Sequence, residues 1–138
     1  MAEYVFAAAS FKPSTSAGLQ VAIGGKAIAV GDAVYRDSTT GNYYLSDADG
    51  AAAKQTVDGV AASACAGDGC QFVLCTSDPL LATGATTTQV MALGDLLVLG
   101  DTPGKLQPAP ANSGSKTVVV ALAITATSYK LVLATGSA

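Results

Sequence analysis

Val30-Gly31-Asp32-Ala33-Val34-Tyr35 is the stretch that decides the fold, because a similar stretch, Leu93-Gly94-Asp95-Leu96-Leu97-Val98, follows later in the chain. Gly41 and Gly104 have the same spacing as Gly31 and Gly94. At slightly shorter spacings, Thr56-Val57 pairs with Thr117-Val118, and Phe72-Val73-Leu74-Cys75-Thr76-Ser77 pairs with Leu131-Val132-Leu133-Ala134-Thr135-Gly136. A pattern that recurs in this way predicts two copies of one small unit. It favours a scaffold over a catalytic centre.

The two repeats span about residues 27–77 and 90–136 of the 138-residue chain. A unit of roughly 60 residues is marginal alone because it buries little surface on folding. We therefore expect the copies to share one core in a β domain over residues 19–138, or to depend on a partner chain. The segment 83–88 joins them, and residues 1–18 form an N-terminal arm outside the repeat.

Hydrophobic patterning along the repeats is typical of β-structure. Short runs of β-forming residues flank turn clusters such as Ser38-Thr39-Thr40-Gly41-Asn42, which indicates hairpins. The run Val118–Ile124 does not alternate with polar residues, so both of its faces should be covered. A single helical turn is possible around Ala51–Ala53. We expect an all-β fold, a compact barrel or sandwich built from two similar β repeats, with an N-terminal arm.

The composition holds little of the chemistry that enzymes use. The chain has no His, and only 12% of its residues are charged, with a formal net charge of −3. Histidine is the commonest general acid–base group and metal ligand, so the usual catalytic triads and zinc sites are disfavoured. Nucleic-acid binding requires a basic footprint, which the scattered lysines do not supply. We expect a protein that is not an enzyme and uses no cofactor, metal or nucleic acid.

Nothing in the sequence predicts export or membrane insertion. Met1–Phe6 contains no basic region of the kind that starts a signal peptide. The longest apolar run, Val118–Ile124, is far shorter than the ~20 residues that span a bilayer. The sequence therefore predicts a soluble protein made in a cytoplasm.

Three short motifs suggest functions that their details do not support. Gly24-Gly25-Lys26 lacks the first glycine and the Ser or Thr of a phosphate-binding loop. Asp47-Ala48-Asp49-Gly50 lacks the later acidic ligands of a calcium loop and is expected to be a surface turn. Asp32 and Asp95 could be paired catalytic carboxylates. Their identical placement in both copies instead favours a structural role, in which each side chain bonds nearby backbone at a strand break.

The three cysteines, Cys65, Cys70 and Cys75, are spaced by five residues. Cys65 and Cys70 flank a four-residue turn and could face each other across a hairpin. An odd number of cysteines in a reducing compartment makes a disulfide unfavourable, so small buried residues are expected at all three positions.

The N-terminal arm contains three aromatic residues, Tyr4, Phe6 and Phe11. An unrepeated arm with aromatic side chains predicts a docking element that contacts a partner. The alternative is an edge strand folded back on the core.

Several segments resemble the capsid decoration (cement) proteins of tailed bacteriophages. They are Gly31–Ser38, Gly41–Asp49, Val57–Ala61, Thr102-Pro103-Gly104 and the closing Lys130–Gly136. The resemblance runs from about Gln20 to the C-terminus, and the cysteines and the apolar arm depart from the family pattern.

The resemblance implies a structural virion protein on the outer capsid surface, synthesised in the host cytoplasm. Such a protein binds the major capsid protein, commonly as a homotrimer, bridges neighbouring capsid subunits and braces the shell. We expect Tyr4, Phe6 and Phe11 to lie in that contact. The alternative is a phage tail- or fibre-associated module that binds a receptor or glycan, for which Tyr35, Tyr43 and Tyr44 near Asp37 and Asn42 could supply a sugar site.

Overall fold

A computed structural model describes residues 3–84, 86, 90–109 and 117–133. It confirms the all-β fold, with ten strands in two antiparallel five-stranded sheets. The first sheet contains β1 (Gly18–Ile23), β2 (Ala33–Arg36), β3 (Tyr43–Leu45), β4 (Gly59–Ala61) and β5 (Gln71–Ser77). The second contains β6 (Leu81–Ala82), β7 (Leu96–Leu99), β8 (Leu106–Pro108), β9 (Val119–Thr125) and β10 (Ser128–Leu131). Short 3-10 turns form at Ala8–Ser10 and Ala52–Gln55.

The two sheets have the same strand order. The first runs β1-β5-β4-β2-β3 and the second β6-β10-β9-β7-β8, so each strand of one sheet has a counterpart five strands later. The turns before β2 and β7 also match, because Gly31 and Gly94 have φ values of +89° and +92°. Only glycine adopts this backbone region at low cost. A shared order is what two copies of one unit would give, and the sequence repeat itself stays a prediction.

The register of the last strand corrects one detail of that repeat. Leu74 lies opposite Ala61, and Tyr129 lies opposite Ala123 in the same place in the second sheet. Leu74 therefore corresponds to Tyr129, not to Leu133. The difference arises because a tight turn joins β9 to β10, whereas a longer hairpin joins β4 to β5. The pairing predicted for residues 134–136 and most of the loop at 108–115 lie outside the described residues.

Apolar side chains fill two clusters. The smaller lies within the first sheet, around Ile28, Val34, Phe72 and Leu74. The larger joins both sheets, and its main contributors from the second sheet are Leu97, Leu99, Val120, Ala121 and Tyr129. In β9 the side chains are buried or half-buried on both faces from Val119 to Ile124, as the unalternating sequence predicts. The two sheets therefore share one core.

The N-terminal segment is part of the fold and not a separate arm. The backbone N–H of Tyr4 donates to the carbonyl of Leu106 at the β8 edge (2.7 Å), and Lys12 pairs with Ala82 at the β6 edge (2.7 and 3.0 Å). The segment therefore covers the space between the two edge strands of the second sheet. In the first sheet, the residues after β1 make the equivalent contact, where Gly25 N–H donates to the Tyr43 carbonyl (2.8 Å).

Candidate docking surfaces

Asp32 and Asp95 have the structural role that their repeated placement predicts. Asp32 Oδ2 accepts a hydrogen bond from Ala29 N–H (2.9 Å), and Asp95 Oδ2 accepts one from Ala92 N–H (3.0 Å). Each carboxylate therefore closes the turn that leads into the second strand of its sheet. Asp32 also holds Lys105, whose Nζ lies 2.6 Å from Oδ1. Both oxygens of this buried carboxylate are thus occupied by structural partners.

The aromatic residues of the N-terminal segment lie in the core of this chain. Tyr4 and Phe11 are 2% and 4% exposed, and Phe6 is half-buried. Phe6 and Phe11 both pack edge-on against Tyr129, with ring centroids 6.1 and 6.3 Å apart. A contact between these three side chains and a partner stays a prediction. In this conformation they stabilise the domain, as the alternative of a folded-back edge segment predicts.

A small apolar cavity of about 160 Å³ remains beside this segment. Phe6, Val30, Gly31, Gly104 and Leu106 contribute to its walls. It lies where the N-terminal segment meets both sheets. The residues that line it form part of the packing between the sheets, and they include no arrangement of side chains typical of a catalytic site.

Strand β1 offers an exposed apolar edge. It is an outer strand of the first sheet and pairs with β5 along its length. Just past its end, Gly24 and Gly25 bridge to Tyr43 of β3. Leu19 and Val21 are 52% and 69% exposed, and Ile23 is half-buried on the same face. The strand carries no charged residue and no proline from Gly18 to Ile23. Natural edge strands are usually guarded by such residues, because an open edge pairs readily with another chain.

A second surface feature is a cleft of about 450 Å³ lined by two tyrosines. Tyr35 and Tyr44 lie side by side on adjacent strands, with ring centroids 6.1 Å apart and planes tilted by 32°. Burial and the nearby Asp37 carboxylate raise the pKa of Tyr35. Tyr43, the neighbour of Tyr44, points to the opposite face of the strand and packs edge-on against Phe72 inside the first sheet.

Four charged residues complete this tyrosine cleft: Lys26, Asp37, Asp47 and Lys54. The sequence singled out Tyr35, Tyr44 and Asp37 but not Lys26, Asp47 and Lys54, because these residues share no regular spacing with them along the chain. Asn42, also named, is not among the lining residues. The cleft therefore combines an aromatic pair with both signs of charge.

The cysteine hairpin differs from expectation. Cys65 and Cys70 form a disulfide across their turn, with Cα atoms 5.7 Å apart. Gly69 has a φ of +81°, which bends the loop back so that the two side chains face each other. The prediction of three reduced, buried cysteines is thus wrong for this pair, and Cys70 is half-buried. Cys75 is a free, buried thiol, as expected.

No family model, curated protein or solved structure matches the chain. Among the described residues, no group of three or more His, Cys, Asp or Glu side chains is placed to hold a metal ion. In the same part of the chain, no helix has the length and apolar character needed to cross a membrane.

Proposed function

We propose that this chain is a non-enzymatic structural protein of a tailed-phage virion. It binds the major capsid protein on the outer surface of the shell, as a homotrimer, and stabilises the shell by bridging neighbouring capsid subunits. The resemblance of its turns and strands to capsid decoration proteins motivates this proposal. The observation that carries it is the unguarded apolar edge of β1.

The β1 edge has the features of a surface that another protein covers. A second strand can add to it by main-chain hydrogen bonds, while Leu19 and Val21 provide apolar contacts beside it. Such a row of exposed apolar residues on an uncharged edge is an aggregation hazard unless a partner covers it. A capsid subunit is a partner that would cover it permanently, once the protein has bound to the virion.

Shell stabilisation requires many modest contacts, not one tight site. A specific interface buries about 800 Å² per partner, and a decoration protein repeats that burial over the whole shell. A compact domain with few charges is well suited to this work, because little desolvation of charged groups opposes the burial. The chain's 12% of charged residues fits that requirement.

The test uses emptied, expanded heads of the phage that encodes the chain, stripped of surface proteins. Wild-type protein should co-sediment with them, and Val21→Lys should bind at least about tenfold more weakly, since it puts a charge in the apolar contact. Val132→Lys is the matched control, because Val132 is also exposed (44%) but lies in the second half of the chain. Equal binding of both variants would remove β1 from the interface, and no binding of wild type would refute the function.

The tyrosine cleft supports a second candidate function, a tail- or fibre-associated module that binds a glycan. Sugar sites combine aromatic faces with carboxylates, and Tyr35, Tyr44, Asp37 and Asp47 supply both here. Binding to host cell-surface polysaccharide that is lost in Tyr44→Ala, together with unchanged capsid binding, would favour this alternative. Tyr43→Phe, on the opposite face, is the control.

A further inference from the structure

The two sheets correspond at the level of single hydrogen bonds. In the first, Ser46 N–H donates to the Ala33 carbonyl (3.0 Å), and in the second, Ala109 N–H donates to the Leu96 carbonyl (3.0 Å). Asp37 N–H donates to the Asn42 carbonyl (2.9 Å), as Gly100 N–H donates to that of Lys105 (2.8 Å). Each residue of these pairs lies 63 positions from its counterpart, the spacing of Gly31 and Gly94. A contact made by a residue of one sheet therefore indicates a possible contact for its counterpart in the other sheet.

The sheets meet through a contact that uses different parts of each. The first sheet supplies a socket formed by Val30, Asp32, Ala33 and Ser46, here called the first socket. The second supplies the hairpin turn Thr102–Lys105, here called the second turn. Ala33 N–H donates to the Gly104 carbonyl (2.9 Å), and Gly104 N–H donates to the Ser46 carbonyl (2.7 Å).

The first socket is buried by this contact. Ala33 is fully buried, and Val30 is half-buried against the main core. Lys105 reaches from the second turn to Asp32, with 2.6 Å between Nζ and Oδ1. The contact thus combines backbone hydrogen bonds, apolar burial and one ion pair.

The counterparts of both surfaces are open. The second socket, formed by Leu93, Asp95, Leu96 and Ala109, exposes 77% of Leu93 and 42% of Leu96. The first turn, Thr40-Gly41-Asn42, lies at the end of the β2–β3 hairpin. Thr40 is exposed, and Gly41 and Asn42 are half-buried. Gly41 has a φ of +77°, close to the +81° of Gly104. The turns differ in one hydrogen bond, because Gly41 N–H donates to the Asp37 carbonyl of its own turn (2.8 Å), whereas Gly104 N–H donates across to Ser46.

We propose that the first turn of one copy of this chain binds the second socket of another. A second copy fits this socket because the corresponding pair of surfaces already forms the contact between the two sheets of one chain. Such a contact joins unlike surfaces, and repeating it produces a closed ring or a filament. The inference rests on the sheet geometry and does not depend on a capsid, although it identifies a surface for the self-association named above.

One difference between the turns makes the proposal testable by a gain of affinity. Asn42 stands where the second turn has Lys105, so in the contact between copies it faces Asp95 as Lys105 faces Asp32. Asn42→Lys should create the missing ion pair and tighten self-association about two- to fivefold at low salt, the range of an exposed pair. Asn42→Asp should weaken it, since two carboxylates would then meet.

Light scattering and sedimentation velocity over a concentration series measure both effects. Ser38→Lys and Ser38→Asp are the matched controls, because Ser38 is exposed on the same hairpin but lies outside the turn that corresponds to Thr102–Lys105. Their affinities should stay near wild type. Adding Asp95→Asn should abolish the gain from Asn42→Lys. A wild-type chain that stays monomeric up to millimolar concentration, or a Ser38→Lys gain equal to that of Asn42→Lys, would overturn the proposal.

A mixing experiment tests the head-to-tail arrangement directly. Leu93→Asp blocks the socket and should weaken self-association about tenfold, since it replaces an apolar contact with a charge. Asn42→Asp blocks the turn. Mixing the two variants should give a complex of two chains, because one good turn and one good socket remain. Larger complexes, or no complex from variants shown by circular dichroism to be folded, would contradict the proposal, as would equal weakening by the exposed control Leu80→Asp.

Discussion

The Asp78 carboxylate holds Ser14 by two hydrogen bonds, one from the Ser14 backbone N–H (2.7 Å to Oδ2) and one from its hydroxyl to Oδ1. Asp78 follows the last strand of the first sheet and is 2% exposed. It also accepts from Leu80 N–H (3.0 Å) at the start of the second sheet. This one side chain therefore fixes the N-terminal segment at the junction between the sheets.

Removing that carboxylate should loosen the N-terminal segment. Asp78→Ala leaves several donors without their acceptor, at a cost of about 2–4 kcal/mol in the free energy of unfolding. Chemical denaturation measures the loss, and chymotrypsin should cut faster after Phe6, which the loosened segment exposes. Asp68→Ala, on an exposed turn, is the control and should change neither. Unaltered stability and cleavage in Asp78→Ala would show that other contacts hold the segment.

The Tyr129 hydroxyl should be dispensable for stability, whereas its ring should not. Tyr129 is fully buried, and its hydroxyl has no hydrogen-bond partner among the described residues. Tyr129→Phe removes an unsatisfied polar atom and should be neutral or stabilise the protein by up to about 1 kcal/mol. Tyr129→Ala should cost about 3–5 kcal/mol because it empties the site that Phe6 and Phe11 pack against. Thermal unfolding distinguishes the two, and a clear loss in Tyr129→Phe would indicate a hidden partner.

The Cys75 thiol should be unreactive in the folded protein and should make stability depend on pH. Burial raises its pKa from 9.0 to about 11, with a further contribution from Asp78. The folded state therefore holds the proton more tightly than the unfolded state does. The resulting stabilisation is complete below pH 9 and is lost as the pH rises towards 11. Burial also raises the pKa values of Tyr4, Tyr35 and Tyr129 above 10.0, but a variant of Cys75 alone keeps that contribution unchanged.

Denaturation at pH 9 and pH 10 tests this expectation. The wild type should lose more stability over this interval than Cys75→Ala, which lacks the titrating group. A slope that is identical in the two proteins would contradict the shifted pKa. Labelling of the folded wild type with a thiol reagent at neutral pH should also be far slower than labelling of the unfolded chain.

The Cys65–Cys70 disulfide should add a modest amount to stability. It closes a loop of six residues, for which chain entropy predicts about 2 kcal/mol. The double variant Cys65→Ala/Cys70→Ala should lose about that much, and a reducing agent should destabilise the wild type but not this variant. No effect of the reducing agent on the wild type would show that the bond does not form in solution.

The sequence predicted the strands and turns well because short-range chemistry determines them. The structural role of Asp32 and Asp95 was predicted correctly from the repeated Gly-Asp pairs. Glycine at positive φ and a carboxylate bonded to nearby backbone are both requirements of the local turn. The shared strand order extends the similarity that these turns first indicate.

Contacts between residues far apart in the sequence were harder to predict. Tyr4, Phe6 and Phe11 suggested a docking arm, and nothing local to them shows that Tyr129, more than a hundred residues away, packs against them. The Cys65–Cys70 disulfide was not predicted because a reducing compartment was assumed. The four-residue turn between the two cysteines is short enough to allow the bond. Lys26 and Lys54 line the tyrosine cleft from separate segments. No regular spacing along the sequence predicts that these two side chains lie close together.

The central claim, that the chain braces a phage shell, is tested most directly by the heat stability of the shell itself. Stripped, DNA-filled heads should be warmed with saturating wild-type protein, with Val21→Lys and with the Val132→Lys control, while DNA release is followed by a dye. The account predicts that wild type and Val132→Lys raise the release temperature, and that Val21→Lys leaves it near that of bare heads. A release temperature that wild-type protein does not change would contradict the account.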